Sequence, residues 1–162
     1  MNFLEKPFFS IGFRPFFLFG AISSVVLMSI WQFSLAGRLE FSPSFSWVVW
    51  HSHEMIFGFV TAIVSGFLLT ATQNWSGLRG VHGAKLFLLL LLWLGARLLS
   101  FTSGGGVYLF AIIDLLFYPA LAAALSPYLL KSGQKRNQIF FLYFSLMFLA
   151  NLLIHLDQLN II

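Results

Sequence analysis

The chain has 162 residues, of which 59% are hydrophobic and only 9% are charged. A soluble domain carries roughly 25% charged residues, so these few charges cannot solvate a water-exposed surface. Intrinsic disorder is excluded too, because it requires low hydrophobicity and high net charge. The net charge of +4 does not indicate a nucleic-acid partner, since Lys and Arg are scattered between apolar runs rather than gathered in a basic stripe. The composition predicts an integral membrane protein embedded in the lipid bilayer.

Five apolar runs are long enough, or nearly so, to form membrane-spanning helices, which need about 20 apolar residues. Glycine, proline and serine separate the runs, and glycines 104–106 predict a tight turn between the third and the fourth. The predicted fold class is all-α: a single transmembrane domain over residues 1–162, built as a polytopic membrane helix bundle with about five transmembrane helices. These helices are predicted at residues 16–36, 50–72, 84–101, 107–130 and 139–156.

The distribution of Lys and Arg predicts the orientation of this bundle. If the N-terminus is cytoplasmic, only Arg38 and Arg97 lie on the outer side. Cytoplasmic segments of membrane proteins carry an excess of these residues, so we expect a cytoplasmic N-terminus and a C-terminus on the opposite face of the membrane. The residues then placed on the inner side are Lys6, Arg14, Arg79, Lys85, Lys131, Lys135 and Arg136.

This topology gathers nearly all the ionisable side chains within the helices at the outer end of the bundle. A charge at the bilayer centre costs roughly 2.5–3.5 kcal/mol, so such groups must pair, meet water or bind a ligand. Arg97 and Asp114 are expected to face each other as an ion pair across the glycine turn. The pair either fixes helix packing, or Arg97 holds an anionic group such as a haem propionate. The other polar residues at this end are His51, His53, Glu54, Asn151, His155 and Asp157.

Several metal arrangements remain open at this stage. The chain has no cysteine, so any metal must use other side chains or the backbone. His51 and His155, at the same depth on the second and fifth helices, would suit the two axial positions of one haem. If residues 51–55 were extended instead, His51, His53 and Met55 would point the same way and suit copper(I). In a third alternative the polar groups are only solvated helix ends. The candidate cofactor-binding residues are His51, His155, Arg97 and Asp114, and the candidate metal ligands are His51, His53, Glu54, Met55 and His155.

Seven segments, in order along nearly the whole chain, resemble proteins of the NnrS family. The most specific is WHSHEM at residues 50–55, where the second helix is predicted to begin. The segments are 12–18 (GFRPFFL), 50–59 (WHSHEMIFGF), 66–71 (GFLLTA) with 74–77 (NWSG), 93–97 (WLGAR), 114–119 (DLLFYP), 136–137 (RN) and 150–156 (ANLLIHL).

The resemblance implies a bacterial inner-membrane protein that carries haem and copper. It implies a role in the response to nitric oxide and nitrosative stress, often alongside denitrification. It assigns no ligand to either metal. Family members usually have more than twice as many spans, so the chain is expected to be a short paralogue, a truncated gene product or half of a two-chain assembly. In the last case further helices would come from another chain or from a homo-oligomer. By position, the family's polar residues correspond to His51, His53, Glu54, Arg97, Asp114 and His155.

We therefore expect a haem- or copper-binding membrane protein of nitric oxide tolerance, reached by nitric oxide through the lipid. The alternative is a non-catalytic interaction subunit that completes a larger helix bundle. A proton pathway through Glu54, Arg97 and Asp114 is disfavoured, because the inner half of the bundle offers no continuing relay. The chain has no glycine-rich phosphate loop and no nucleophile motif, which argues against hydride-transfer, hydrolytic and phosphoryl-transfer enzymes.

Overall fold

The computed structural model describes residues 7–39, 43–131 and 135–162, and every regular element in these ranges is helical. The all-α prediction is therefore confirmed. Short 3₁₀ turns at Pro7–Phe9 and Lys135–Gln138 precede the first and the last helix. The five helices are α1 (Phe13–Leu35), α2 (Trp47–Ser76), α3 (Gly83–Leu99), α4 (Gly106–Lys131) and α5 (Ile139–Gln158).

Each of the five predicted apolar runs corresponds to one of these helices. Within the described ranges, four spans are long and apolar enough to cross a membrane: α1, α2, α4, and α5 together with the 3₁₀ turn before it. The exception, α3, has 17 residues and lies at the short end of the range for a membrane span. The protein is thus a multi-pass helix bundle of the kind that membranes contain.

Helix α2 extends beyond the predicted span at both ends. It begins at Trp47, directly after Ser46 in extended conformation, and it ends before Gly77, which has a left-handed φ of 68°. The Gly77 amide donates to the Gln73 carbonyl at 2.9 Å, a common way to terminate a helix.

The middle of α2 is not a regular α-helix. Residues Glu54–Val60 form a π-helical segment between two α-helical parts. The wider turn leaves backbone carbonyls for other donors: Trp93 Nε1 donates to the Gly58 carbonyl at 3.1 Å, and the Thr61 hydroxyl donates to the Ile56 carbonyl at 3.0 Å. Such segments are rare and occur often at functional sites. The alternative of an extended chain over residues 51–55 is wrong, because all five residues are helical.

Glycines bring α1 close to α2. A Cβ atom on Gly12 would lie 2.4 Å from the Leu69 Cβ, and one on Gly66 would lie 2.9 Å from the Phe17 ring. Small residues at such positions let membrane helices pack at short distance. The α1–α2 contact is therefore close at this end, and it sets the register between the two antiparallel helices.

The interior contains two apolar clusters. The larger occupies most of the bundle, and the smaller lies at the end where α2 begins and α3 ends. Trp50 in the smaller cluster is fully buried, and its Nε1 donates to the Ser100 hydroxyl at 3.1 Å. The buried residues of the smaller cluster are Leu27, Phe45, Trp50, Ala96 and Phe110.

Candidate metal centre

Six polar side chains from four helices meet beside the smaller apolar cluster. Each is at most 4% exposed, so the group is shielded from solvent. All but Asp114 lie within about two turns of the helix end on this side, and Asp114 lies about 12 Å into α4 at 1.5 Å per residue. The six are His53 and Glu54 on α2, Arg97 on α3, Asp114 on α4, and Asn151 and His155 on α5.

Asp114 is the centre of this network. Its Oδ1 receives a hydrogen bond from the Arg97 guanidinium, so the expected ion pair is present. Its Oδ2 accepts from Asn151 Nδ2 at 2.7 Å and lies 3.1 Å from Nε2 of both His53 and His155. A single oxygen of Asp114 thus contacts one amide and two imidazoles, which come from α2 and α5.

Arg97 joins a second carboxylate to the network. Its Nε lies 3.2 Å from Glu54 Oε2, an ion pair without hydrogen-bond alignment. Gly58 makes this approach possible, because a Cβ there would lie 2.9 Å from Arg97 Nη1. With both imidazoles neutral, two carboxylates and one guanidinium leave a formal charge of −1. A buried charge of this kind is costly unless a cation offsets it.

The two histidines and Asp114 form a donor set that suits a metal ion. One ligand atom from each of the three lies within 4.8 Å of the others. The imidazole rings are 5.6 Å apart with an interplanar angle of 71°, so both Nε2 atoms converge on the carboxylate. Two imidazoles with one carboxylate are typical ligands of first-row transition metals, including copper and iron.

Hydrogen bonds from neighbouring side chains hold these three residues in place. Asn151 Oδ1 accepts a hydrogen bond from His53 Nε2 at 2.9 Å, and its Nδ2 donates to Asp114. Glu54 Oε1 lies 3.4 Å from Nδ1, the other ring nitrogen of His53. Partners of this kind orient metal ligands and tune their basicity. His155 Nδ1 is buried and has no hydrogen-bond partner among the described residues.

Aromatic rings enclose the two histidines. Phe45 lies 5.0 Å from His53 and 5.5 Å from His155, measured between ring centroids, and Phe110 lies 5.7 Å and 4.9 Å from them. Phe57 stacks on His53 at 4.9 Å. A haem with these two histidines as axial ligands needs a slot for its flat macrocycle between them. The Asp114 carboxylate and the phenyl rings fill that space, so the residues present fit an ion and not a haem.

Residues 43–46, directly before α2, cover the site at the end of the bundle. The Ser44 amide donates to the Ser100 carbonyl at 3.0 Å, and its hydroxyl donates to the Thr102 carbonyl at 2.6 Å. The Gln158 amide donates to the Ser44 carbonyl. These bonds tie the segment to the ends of α3 and α5, and they position Phe45 over the histidines.

The predicted site residues fall into two groups. The structure brings His53, Glu54, Arg97, Asp114 and His155 together in the network. The haem hypothesis required His51 and His155 to lie close together, and the structure does not bring His51 into this network. The His51 ring stacks on Trp31 of α1, with centroids 4.6 Å apart and planes 7° apart. Met55 lines a groove between α1 and α2.

Several residues of the site were not among the sequence candidates. Asn151 was placed at the correct end of the bundle, but a neutral amide gave no reason to assign it a role. Its spacing of four residues from His155, on one face of α5, is the signal that could have found it. Nothing in the sequence indicated Phe45 as a wall of the site.

The described residues thus define a multi-pass membrane protein with a buried His–Asp–His centre near one end of the bundle. The chain matches the family model described as "NnrS protein" over residues 7–161, and it belongs to the NnrS family. No curated protein and no solved structure matches it significantly.

Proposed function

We propose that this protein binds a copper ion in the inner membrane as part of the response to nitric oxide. The observation that carries the proposal is the convergence of His53, Asp114 and His155 at ligand distance inside a dry cluster that holds two carboxylates. Family membership supports the link to nitric oxide, since the sequence resemblance implied both that response and copper.

The protein's own residues have distinct tasks in this proposal. His53 and His155 supply imidazole nitrogens, Asp114 supplies a carboxylate, and Arg97 with Asn151 holds that carboxylate in position. The bound ion would supply the coordination position at which a small diatomic ligand binds. The aromatic wall excludes water, and nitric oxide, which is apolar and partitions into lipid, would reach the site from the bilayer.

Elemental analysis of the purified, detergent-solubilised chain tests the metal centre. We expect the double variant His53→Asn/His155→Gln to carry one copper fewer per chain than wild type, since even changes to residues that support metal ligands weaken binding by about 10–100-fold. His82→Gln is the matched control, because His82 contacts the Gly80 carbonyl in the loop between α2 and α3. Full copper retention by the double variant would overturn the proposed ligand set.

Survival of nitrosative stress tests the biological role separately. In a strain that lacks the native gene, wild type and His82→Gln should restore growth under a nitric oxide donor, whereas the double variant should not. If the double variant loses its copper but still restores growth, the centre is real and its role in nitric oxide tolerance is wrong.

We also propose that the N-terminus is cytoplasmic and that the metal centre lies in the outer leaflet. The distribution of Lys and Arg supports this orientation. The chain has no cysteine, so single cysteines can report the topology. A membrane-impermeant thiol reagent should label Ser103→Cys in intact spheroplasts and Arg79→Cys only after permeabilisation. The reverse pattern would contradict the orientation.

A second candidate function is an interaction subunit within a larger helix bundle. Along the most apolar stretches of α1 and α5 only 17% of residues are buried, so both helices present broad apolar faces to lipid or to another chain. Under this alternative, polar substitutions on these faces would abolish co-purification with a partner, and the double histidine variant would still protect cells.

A further inference from the structure

We propose that Met28, His51 and Met55 form a separate site for copper(I), with Trp31 beside it. The site lies in the groove between α1 and α2, on a different side of α2 from His53. It does not depend on the His53–Asp114–His155 centre, so either can fail without the other.

The register between α1 and α2 brings these residues to one place. The helices are antiparallel, and the ring stack of Trp31 on His51 fixes one level of their contact. One helical turn back along α1 leads to Met28, and one turn forward along α2 leads to Met55, so both steps run about 5 Å in the same direction. Met28 and Met55 indeed line a single groove of about 490 Å³.

The side chains on each helix also share a face. Residues three or four apart on a helix are neighbours, which places Met28 beside Trp31 and His51 next to Met55. The groove continues one turn further with Ser24 and Phe59, as the same register requires. From this register we infer that two thioethers, one imidazole and one indole lie together at the end of the groove where α2 begins.

His51 has a nitrogen that the fold leaves without a partner. Its Nδ1 is buried and makes no hydrogen bond within the part of the chain that the structure describes. Such a buried polar atom is costly, and a metal ion would satisfy it. The stack on Trp31 holds the imidazole in one orientation, as a ligand requires.

The donor chemistry selects copper(I). Thioether sulfur is a soft ligand that favours copper(I), while Mg²⁺ and Ca²⁺ require oxygen ligands. The residues described as lining the groove include no Asp or Glu, so the site provides no charge to offset a divalent ion. An indole face next to the site adds a favourable interaction with a monovalent cation.

Competition with a chromophoric copper(I) chelator under anaerobic conditions tests this site on the full chain in detergent. Wild type should bind two copper(I) ions if both centres are present, and His53→Asn/His155→Gln should retain one. In that background, Met28→Leu/Met55→Leu should weaken the remaining site on the order of 10–100-fold or more. Both changes conserve volume, so the bundle should remain folded.

Met147→Leu in the same background is the matched control, because Met147 packs against the main apolar cluster on α5. It should leave copper(I) affinity unchanged. If Met28→Leu/Met55→Leu binds copper(I) as tightly as this control, the proposal is overturned. X-ray absorption of the copper-loaded double histidine variant gives a second reading: sulfur neighbours support the site, and a shell of nitrogen and oxygen alone contradicts it.

Discussion

Two histidines, two residues apart on α2, lie in opposite kinds of environment. His53 faces a dry network of two carboxylates and one guanidinium, and His51 stacks on the ring of Trp31 where α1 contacts α2. Successive residues on a helix are rotated by about 100°, so two residues are enough to reach a different neighbour. A pair of histidines in one motif therefore need not serve one metal.

The difference between the two sides lies in charge as well as in position. The His53 side carries a formal charge of −1 with neutral imidazoles, and this charge must be offset inside the bundle. The His51 side has neutral donors only and lies next to exposed apolar surface, with Met28 42% exposed. Removing one partner from the network on the first side should therefore be strongly destabilising, and changes on the second should affect little beyond metal affinity.

The largest expected effect comes from removing the one guanidinium of the network. Arg97→Leu leaves the Glu54 and Asp114 carboxylates buried without their cation, which should cost about 3–5 kcal/mol of unfolding free energy. Equilibrium unfolding in mixed detergent measures the change. Arg38→Leu, at an exposed position after α1, should stay within about 0.5 kcal/mol of wild type. Equal stability of the two variants would show that the network is not a stabilising ion cluster.

An intermediate loss of stability is expected from Gly58→Ala, which disturbs the network around His53 only. The added Cβ would lie 2.9 Å from Arg97 Nη1 and 3.2 Å from Glu54 Oε2, so the ion pair must shift. Overpacking of this kind typically costs about 1–3 kcal/mol. We expect lower thermal stability and weaker metal binding at the His53 centre, with copper(I) affinity at the His51 side preserved.

Gly95→Ala is the control for that substitution. A Cβ at Gly95 meets only Ile113 Cγ2 at 3.7 Å, an ordinary contact, and alanine favours the helix by roughly 0.5–1 kcal/mol relative to glycine. This variant should be as stable as wild type or more so. If Gly58→Ala behaves in the same way, the close approach of Arg97 to α2 is not needed for the site.

The sequence was enough to predict the helices and the end of the bundle where the site lies. Long apolar runs must form helices in lipid, and charged groups within them must find one another, because both rules follow from the cost of desolvation. Arg97 and Asp114 could be paired on this basis across a short turn. The same reasoning placed His53 and His155 at one end of the bundle, where both contact Asp114.

The sequence could not show which of the two histidines, His51 or His53, lies with Asp114 and His155. The answer depends on which neighbour each histidine meets, and that depends on how α1 packs against α2 through Gly12 and Gly66. The π-helical segment that begins at Glu54 further changes which side chains share a face, and no pattern in the sequence predicted this segment. Asn151 carries no charge, so the cost argument that identified its neighbours did not apply to it.

The smallest expected effect is a modest loss of copper(I) affinity when Trp31, which stacks on His51, is replaced. Trp31→Phe retains an aromatic ring for His51 to stack on, and it weakens the attraction between ring and cation, since tryptophan is the strongest of the aromatic residues in this respect. Such an attraction contributes about 0.5–1 kcal/mol at exposed sites, so copper(I) affinity should fall by about two- to fivefold. Trp75→Phe, at a stack on Phe140 towards the other end of α2, should leave the affinity unchanged. An affinity that falls equally in both variants would mean that the loss reflects general loosening of the bundle, because Trp31 stacks on His51 whereas Trp75 stacks on Phe140.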